Sequence, residues 1–375
     1  MKRNQAGVAV WKFSRLTLLV IGCLGLVLAG CRSTAPVEFS VVSVSQEGGI
    51  RFSPVTDAND AVAVPEVTLA GGRRVKVVAK FFDVSRYGNK IAYLAIRDKK
   101  TNIYVRNVGV GARATVQRTF RDNIRDVAMS PDGKLLAFSD SREGNLNIYL
   151  TSAEAGSAIR QVTSSPLNEY HPAFSPDGRS LLYVQTETGG RNVAARTITP
   201  PSYFMWVYDL ARGTQTQYAE GYNADFAPDS KKVVFTRENK ETKAVEMWML
   251  DLDMGQEILV ASDRNRNFVD PVISPDGSKI AFVSGSKDKD EGEDRNFDIY
   301  VINIDGSNMT QLTFHPGDDV SPRWGPDAKS IYFLSQRGNT EGKWNIWKME
   351  LRLEHFGTPG SDKPEATPVE VKPLR

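Results

Sequence analysis

The chain has 375 residues, 41% of them hydrophobic, which is length enough to bury a large core. Its 47 basic and 45 acidic residues nearly cancel, leaving +2, and this excludes an extended nucleic-acid-binding surface. Only two cysteines occur, Cys23 and Cys31, so no disulfide framework holds the rest of the chain and its stability rests on burial.

Lys2, Arg3, Lys12 and Arg15 precede an apolar run from Leu16 to Leu28, which meets Leu28-Ala29-Gly30-Cys31. A basic start, a short apolar core and small residues before a cut site make residues 1–30 a secretory signal. The core of about 15 residues is short of the roughly 20 that span a bilayer. Leu-Ala-Gly-Cys resembles a bacterial lipobox, and the resemblance implies cleavage before Cys31 and acylation there. Several acyl chains anchor stably where one would be marginal. Arg32 in the next position implies, again by resemblance, sorting to the outer membrane. The leader holds four basic residues and no acidic one, so the remainder carries −2 against the chain's +2.

Residues 31–61 mix Ser, Gly, Pro and Asp with short apolar runs and read as a tether with at most one strand. Val64–Leu69 and Arg74–Lys80 alternate as strands do. Then a unit repeats six times. Five copies are anchored by tight turns at Pro131-Asp132-Gly133, Pro176-Asp177-Gly178, Pro228-Asp229-Ser230, Pro275-Asp276-Gly277 and Pro326-Asp327-Ala328, and a degenerate first copy sits at Arg86-Tyr87-Gly88. The anchors advance by 45, 45, 52, 47 and 51 residues.

Five residues past each anchor stands an aliphatic (Ile91, Leu136, Leu181, Val233, Ile280, Ile331) and seven past it an aromatic (Tyr93, Phe138, Tyr183, Phe235, Phe282, Phe333). Positions two apart share one face of a strand, so each unit turns an apolar face to its neighbour. A later aliphatic-aromatic pair in every copy, such as Ile103-Tyr104 and Ile346-Trp347, marks a third strand. Strand-rich repeats of this length are the signature of propeller blades. The expected fold is all-β: a six-bladed β-propeller of four-stranded antiparallel blades over residues 62–355. A Pro-rich tail, 356–375, follows.

Proline presets the first turn position, and Gly takes the left-handed position that closes a hairpin. Ser230 and Ala328 replace that Gly, so those two turns are expected to be the least regular. The last blade has a third strand, Trp344–Leu351, but no fourth directly after it. A ring has to remove its open edge, and a strand near Val67 is favoured over Pro368–Val371 to fill the slot.

Phe174-Ser175-Pro176-Asp177-Gly178, followed by Leu182-Tyr183, with Asn147-Ile148-Tyr149 and Arg160-Gln161-Val162-Thr163 of the preceding unit, resembles the TolB-type propeller repeat over roughly residues 80–353. The resemblance is specific for the fold and poorly specific for function. The family's namesake carries an additional N-terminal α/β domain, for which the stretch between Cys31 and the first blade is too short. What is implied is a TolB-like lipoprotein without that domain, and the Tol–Pal role does not transfer safely.

Long b–c loops in blade 3 (Gln185–Tyr203) and blade 5 (Ser284–Phe297) share one face with the blade-to-blade crossings. Binding sites are commonly built on such loops over a rigid scaffold. On that face, five residues before each anchor, stand Phe81, Asp126, His171, Asn223, Asp270 and Ser321. The five polar ones are the candidate ligand-binding ring at the channel mouth; the plain alternative is solvated channel lining.

Lys287–Asp294 invites a calcium reading, but Gly292 falls where the EF-hand pattern needs an oxygen ligand, and a solvated charge run explains it better. His171 and His315 lie on crossings into opposite blades without short-range metal-ligand spacing. Ser284-Gly285-Ser286-Lys287 matches a hydrolase spacing without its companion motifs.

The expected function is a lipid-anchored periplasmic scaffold, non-catalytic, with no catalytic residues, cofactor or metal assigned. It is expected to be a monomer that binds an envelope protein or peptide through the long-loop face and the membrane through Cys31, with no nucleic-acid partner. The alternative is a glycan-binding or glycan-cleaving propeller, since related propellers include glycan lyases and the gating domains of peptidases. The peptidase version lacks a Gly-x-Ser-x-Gly elbow. Among Trp206, Trp248, Trp324, Trp344 and Trp347, only Trp344 stands off the repeat-aligned core positions as a possible sugar platform.

Overall fold

The six repeats fold into six antiparallel sheets, as their spacing predicts. The computed structural model describes residues 46–47, 50–56, 62 and most of 80–351, excepting 88, 98, 109–114, 120–122, 155–157, 187–202, 265, 286–296 and 339–342. Two strands precede the repeats, β1 (Gln46–Glu47) and β2 (Ile50–Pro54). Blade 1 is β3 (Phe82–Val84), β4 (Lys90–Arg97), β5 (Lys100–Asn107) and β6 (Val116–Gln117); blade 2 is β7 (Ile124–Met129), β8 (Leu135–Asp140), β9 (Asn147–Ser152) and β10 (Arg160–Gln161). Blade 3 is β11 (Glu169–Phe174), β12 (Ser180–Thr186), β13 (Tyr203–Asp209) and β14 (Thr214–Glu220); blade 4 is β15 (Tyr222–Phe226), β16 (Lys232–Glu238), β17 (Val245–Asp251) and β18 (Glu257–Ala261). Blade 5 is β19 (Val269–Ile273), β20 (Lys279–Ser284), β21 (Asp298–Asn303) and β22 (Thr310–Gln311). Blade 6 is β23 (Asp319–Trp324), β24 (Ser330–Ser335) and β25 (Asn345–Glu350), to which β2 adds the fourth strand and β1 a short fifth.

The repeat aromatics explain the packing. Each second-strand aromatic lies directly opposite its third-strand counterpart: Tyr93 and Tyr104, Phe138 and Tyr149, Tyr183 and Trp206, Phe235 and Trp248, Phe282 and Tyr300, Phe333 and Trp347. Three of these pairs stack with centroids 5.7–5.9 Å apart. Cross-strand aromatic pairs contribute roughly 0.2–1 kcal/mol each beyond alanine. The aliphatics two residues earlier are buried in all six blades.

The slot in blade 6 is filled from the N-terminal side, but earlier than Val67, which lies outside the described residues. β2 pairs with β25 from Arg51–Glu350 to Pro54–Trp347, so residues first read as tether supply the closing strand. Its end repeats the chemistry of the other closing strands. In blade 2 the Val162 amide donates to the Ile148 carbonyl, and the Thr163 hydroxyl accepts the Ile148 amide. In blade 6 the Val55 amide donates to the Ile346 carbonyl, and the Thr56 hydroxyl accepts the Ile346 amide at 2.9 Å. Thr119 and Thr313 do the same for Ile103 and Ile299. Val55-Thr56 is therefore a fourth copy of the strand ending seen in blades 1, 2 and 5, placed before the first blade in sequence.

The turn expectation is corrected. Ser230 and Ala328 hold φ of 59° and 51°, close to Gly133, Gly178 and Gly277 at 70–74°. The turns keep one shape, and only the Ala328–Gly325 hydrogen bond is slightly long at 3.2 Å. The missing glycines appear as local strain at a left-handed position rather than as irregular geometry.

Candidate functional site

The first strand of each blade lines the axis, and in four blades it is distorted at one equivalent place. In β11, β15, β19 and β23 the pairing with the second strand skips a residue, so that His171-Pro172, Asn223-Ala224, Asp270-Pro271 and Ser321-Pro322 each face a single partner. These are β-bulges, which bend a strand and re-aim a side chain. His171, Asn223, Asp270 and Ser321 hold φ of 54°, 49°, 49° and 55°. Left-handed backbone costs a non-glycine residue roughly 1–2 kcal/mol. Four such residues sit at one repeat position, and all belong to the ring singled out from sequence. In β7 the register shifts between Ile124 and Asp126, and β3 has no shift.

All five ring residues are buried: Asp126 1% exposed, His171 6%, Asn223 6%, Asp270 1% and Ser321 1%. They form interior wall rather than an open rim. Asp126 accepts the Lys80 amide (2.9 Å), the Ser139 hydroxyl (2.7 Å) and the His171 amide (3.3 Å), tying blades 1, 2 and 3 together. Asp270 accepts Arg323 Nη1 at 3.1 Å, tying blade 5 to blade 6. Arg323 also approaches Asp83 of blade 1 at 3.9 Å, and Lys80 pairs with Asp83 at 3.1 Å. Asp83 accepts the Met129 amide of blade 2 at 2.9 Å. A chain of charge thus runs from blade 5 through 6, 1 and 2 to the backbone of blade 3.

Blade 4 supplies Asp225, which lies deep in the wall yet keeps a solvent-accessible face, as channel lining does. Burial pushes its pKa up, against the pull of Lys80 and Arg323. Burial, helped by Lys80 and Arg323, pushes His171 well below the ordinary histidine range, so it is neutral. Burial acts to lower the Arg323 pKa, but Asp270, Asp83 and Asp225 outweigh it and the group is held more firmly protonated. Among the described residues, both ring nitrogens of His171, Asp270 Oδ2, Ser321 Oγ and Arg323 Nη2 have no hydrogen-bond partner. Such orphaned buried groups are rare and cluster where a protein trades stability for function.

One residue before the ring, at the long-loop face, Arg125 and Tyr170 are half-buried with the Arg125 guanidinium 5.1 Å from the Tyr170 ring centre. Tyr203, which resumes the chain after the blade 3 loop, packs against Tyr222 at 5.6 Å and 54°. Burial raises the Tyr170 phenol to about 12 and raises Tyr203 as well.

Asp83, Asp225 and Arg323 were not singled out from the sequence. The signal was present: three residues before the anchor the other copies carry Ala128, Ala173 and Val272, and only these three place charge on an apolar strand.

The remaining candidates fare differently. His315 Nδ1 accepts the Gly317 amide of its own loop at 3.0 Å, and His171 is in the axial wall. Among the described residues no three His, Cys, Asp or Glu are gathered as metal ligands. The calcium-like run 287–294, Lys287 of the serine–lysine match, the interiors of both long loops and Cys31 lie outside the described residues. Trp344 is 7% exposed and its carbonyl accepts the Val62 amide, so the one tryptophan off the repeat register is no open sugar platform.

The family model described as the TolB beta propeller domain matches residues 74–199 and 222–357, well over half of the sequence. The chain belongs to the TolB β-propeller family. Among curated relatives, a Tol-Pal system protein TolB from Anaeromyxobacter dehalogenans is 43% identical over 61 residues, 16% of this chain and 12% of that protein. The matches span between 12% and 45% of such relatives' own length. Among solved structures, a putative TolB from Agrobacterium tumefaciens aligns with TM-score 0.52 and 19% identity, covering 75% of this chain and 93% of that one. An oligogalacturonate lyase from Vibrio parahaemolyticus aligns with TM-score 0.52 and 15% identity, covering 84% and 96%. At those identities the structural likenesses establish the fold alone. This TolB-like propeller shares its architecture with proteins named TolB and with a lyase, so the architecture does not fix what its site does.

Proposed function

We propose that this TolB-like propeller is a non-catalytic scaffold of the bacterial envelope, anchored by lipid at Cys31 to the periplasmic face of the outer membrane, and that it binds a protein or peptide over the long-loop mouth of its axial channel. One observation carries the reading: four strained, non-glycine residues occupy the same left-handed bulge around the axis, beneath the face that bears the long loops. Strain kept at one repeat position marks a pre-shaped surface. Asp126, His171, Asn223, Asp270 and Ser321 form the floor of that site. The relatives named TolB of the Tol-Pal system support a periplasmic protein-binding role in general terms.

The axial groups suit binding better than turnover. Asp126 is engaged by three hydrogen bonds and Arg323 is paired with Asp270, which suits a fixed floor for binding.

A photo-crosslinking residue placed at Tyr203 in the full-length protein should give one discrete protein adduct in cells, whereas the same group at Met254, an exposed turn residue on the opposite face, should give none. Equal adducts at both positions, or cleavage of polygalacturonate by the purified protein, would reject the reading. Fatty-acid labelling that persists in Cys31→Ser would reject the anchor.

A further inference from the structure

We propose that Arg125, with the phenols of Tyr170 and Tyr203, forms a carboxylate-binding site at the channel mouth, and that its ligand is a carboxylate of a peptide, either the chain terminus or an Asp or Glu side chain. This rests on the peptide-scaffold reading above and names the group that the site recognises.

The case starts from an uncommitted cation. Arg142, Arg237, Arg323 and Arg337 each engage a carboxylate: Asp140, Glu257 at 2.7 Å, Asp270 at 3.1 Å and Asp319 at 2.7 Å. Arg125 is half-buried as well, yet among the described residues it makes no ion pair and no hydrogen bond, and its recorded contact is the face of Tyr170. A guanidinium held by stacking keeps its whole fork of donors for a ligand, and that fork matches a carboxylate.

Two further donors stand beside it. Neither the Tyr170 nor the Tyr203 hydroxyl hydrogen-bonds to a described residue, Arg125 acts electrostatically on both phenols, and Tyr203 acts on Tyr170. Burial raises both phenols, so both hydroxyls stay protonated and able to donate. Tyr222 packs against Tyr203 and fixes that ring. The donors come from three strands in two blades, β7, β11 and β13, with the Tyr222 buttress from a third blade, so the rigid ring holds them in place before binding.

Charge and shape narrow the ligand. Asp126 is next in sequence and repels a nearby anion, as its effect on Tyr170 shows. One cation beside one fixed carboxylate suits a single negative charge better than a phosphate dianion. Arg125 covers one face of Tyr170, and Tyr222 leans on Tyr203 at 54°, which leaves less open ring surface for stacking a sugar.

The test uses the full-length protein, detergent-solubilised and immobilised, with two libraries of acetylated random octapeptides, one ending in a free acid and the other in an amide. At least tenfold enrichment of the acid library identifies a chain terminus; enrichment of Asp- or Glu-containing members in the amide library identifies a side chain. In either case Arg125→Gln should lower retention at least tenfold and Tyr203→Phe about threefold, while Arg125→Lys keeps the charge and part of the binding. Arg125→Lys also serves if Arg125→Gln fails to fold: a folded Lys variant with the same thermal midpoint should lose retention at least threefold, and retention within twofold of the wild type would overturn recognition by the guanidinium fork. Peptides retained equally from both libraries, without acidic bias and within twofold in Arg125→Gln, would leave the scaffold reading standing and overturn the carboxylate site. Retention of no peptide, with or without binding of trigalacturonate, would overturn both.

Discussion

Replacing Arg323 by methionine tests the axial charge network most directly. The side chain is 5% exposed, donates to Asp270 at 3.1 Å and stands 3.9 Å from Asp83. Asp270 is 1% exposed, and its second oxygen has no partner among the described residues. Methionine fills most of the volume, so little of the expected loss is cavity. What remains is an unpaired carboxylate sealed in the wall between blades 5 and 6. Removing one partner of a buried pair costs about 3–5 kcal/mol, and the presence of Lys80 near Asp83 places the loss toward the lower end of that range. Urea unfolding at constant slope measures it as a drop in midpoint. The double variant Asp270→Asn/Arg323→Met should recover most of the loss, because the amide leaves no stranded charge; the two residues are in contact and their effects should not add. A loss below about 1 kcal/mol in the single variant, or a double variant no better than the single, would refute the claim that this pair welds the blades.

Three other outcomes follow from single positions. Glu169 is buried and accepts from Thr163 and from Gln185 at 3.2 Å; burial, outweighing those bonds, raises its pKa from 4.5 to about 7. Its folded value lies above its unfolded one, so the folded chain binds the extra proton and stability falls as pH rises from 4.5 through 7, by roughly 3 kcal/mol at most. Glu169→Gln should flatten that slope between pH 5 and 8 in thermal melts, and an unchanged slope would count against the assignment. Ser230→Gly and Ala328→Gly should each stabilise by about 1 kcal/mol, since glycine accepts the left-handed conformation already present; lower urea midpoints would contradict this. Thr56→Val should cost about 1–2 kcal/mol by stranding the Ile346 amide, and hydrogen exchange at Ile346 should quicken more than exchange in blade 3.

The sheets were legible because each repeat states its packing twice, once in the aliphatic and aromatic residues of the second strand and again in the aromatic of the third. Their pairing needs no information from elsewhere in the chain. The closing strand was harder to read for a physical reason. β2 pairs with β25 across some three hundred residues, and five residues of alternating burial carry little periodicity. The useful sign was Val55-Thr56, the same ending as Val162-Thr163, because the threonine hydroxyl has a specific amide to accept. The ring at Asp126, His171, Asn223, Asp270 and Ser321 could be located by counting back from the turns. Its burial could not, since burial depends on how far six strands converge. Nor could Arg125 be found: adjacent to a ring residue and chemically ordinary, it stands out only once its neighbours show that no acid answers it.

The bulged ring also explains an oddity of the sequence. The first strand of a propeller blade is an inner edge, with backbone amides turned to the channel and no fifth strand to receive them. Proline follows the left-handed residue in three of the four bulges, at Pro172, Pro271 and Pro322. Proline has no amide hydrogen to leave unsatisfied, and edges and bulges are where sheets tolerate it. It also fixes the next φ, which limits how far the strained residue before it can relax. His171, Asp270 and Ser321 are therefore held from both sides, by the pairing of Tyr170, Val269 and Val320 before the bulge and by a rigid ring after it. Glycine at these positions would be more stable locally, yet polar side chains stand there with unpartnered atoms in the axial wall. The same position bears strain in four blades and keeps a hydrogen-bonding group in each, as the proposed binding floor requires. Blade 4, with Ala224 in place of proline, is the bulge least constrained by its own sequence, and its first strand carries both Tyr222, which packs on Tyr203 at the mouth, and Asp225, which feels Lys80 and Arg323 in the channel wall.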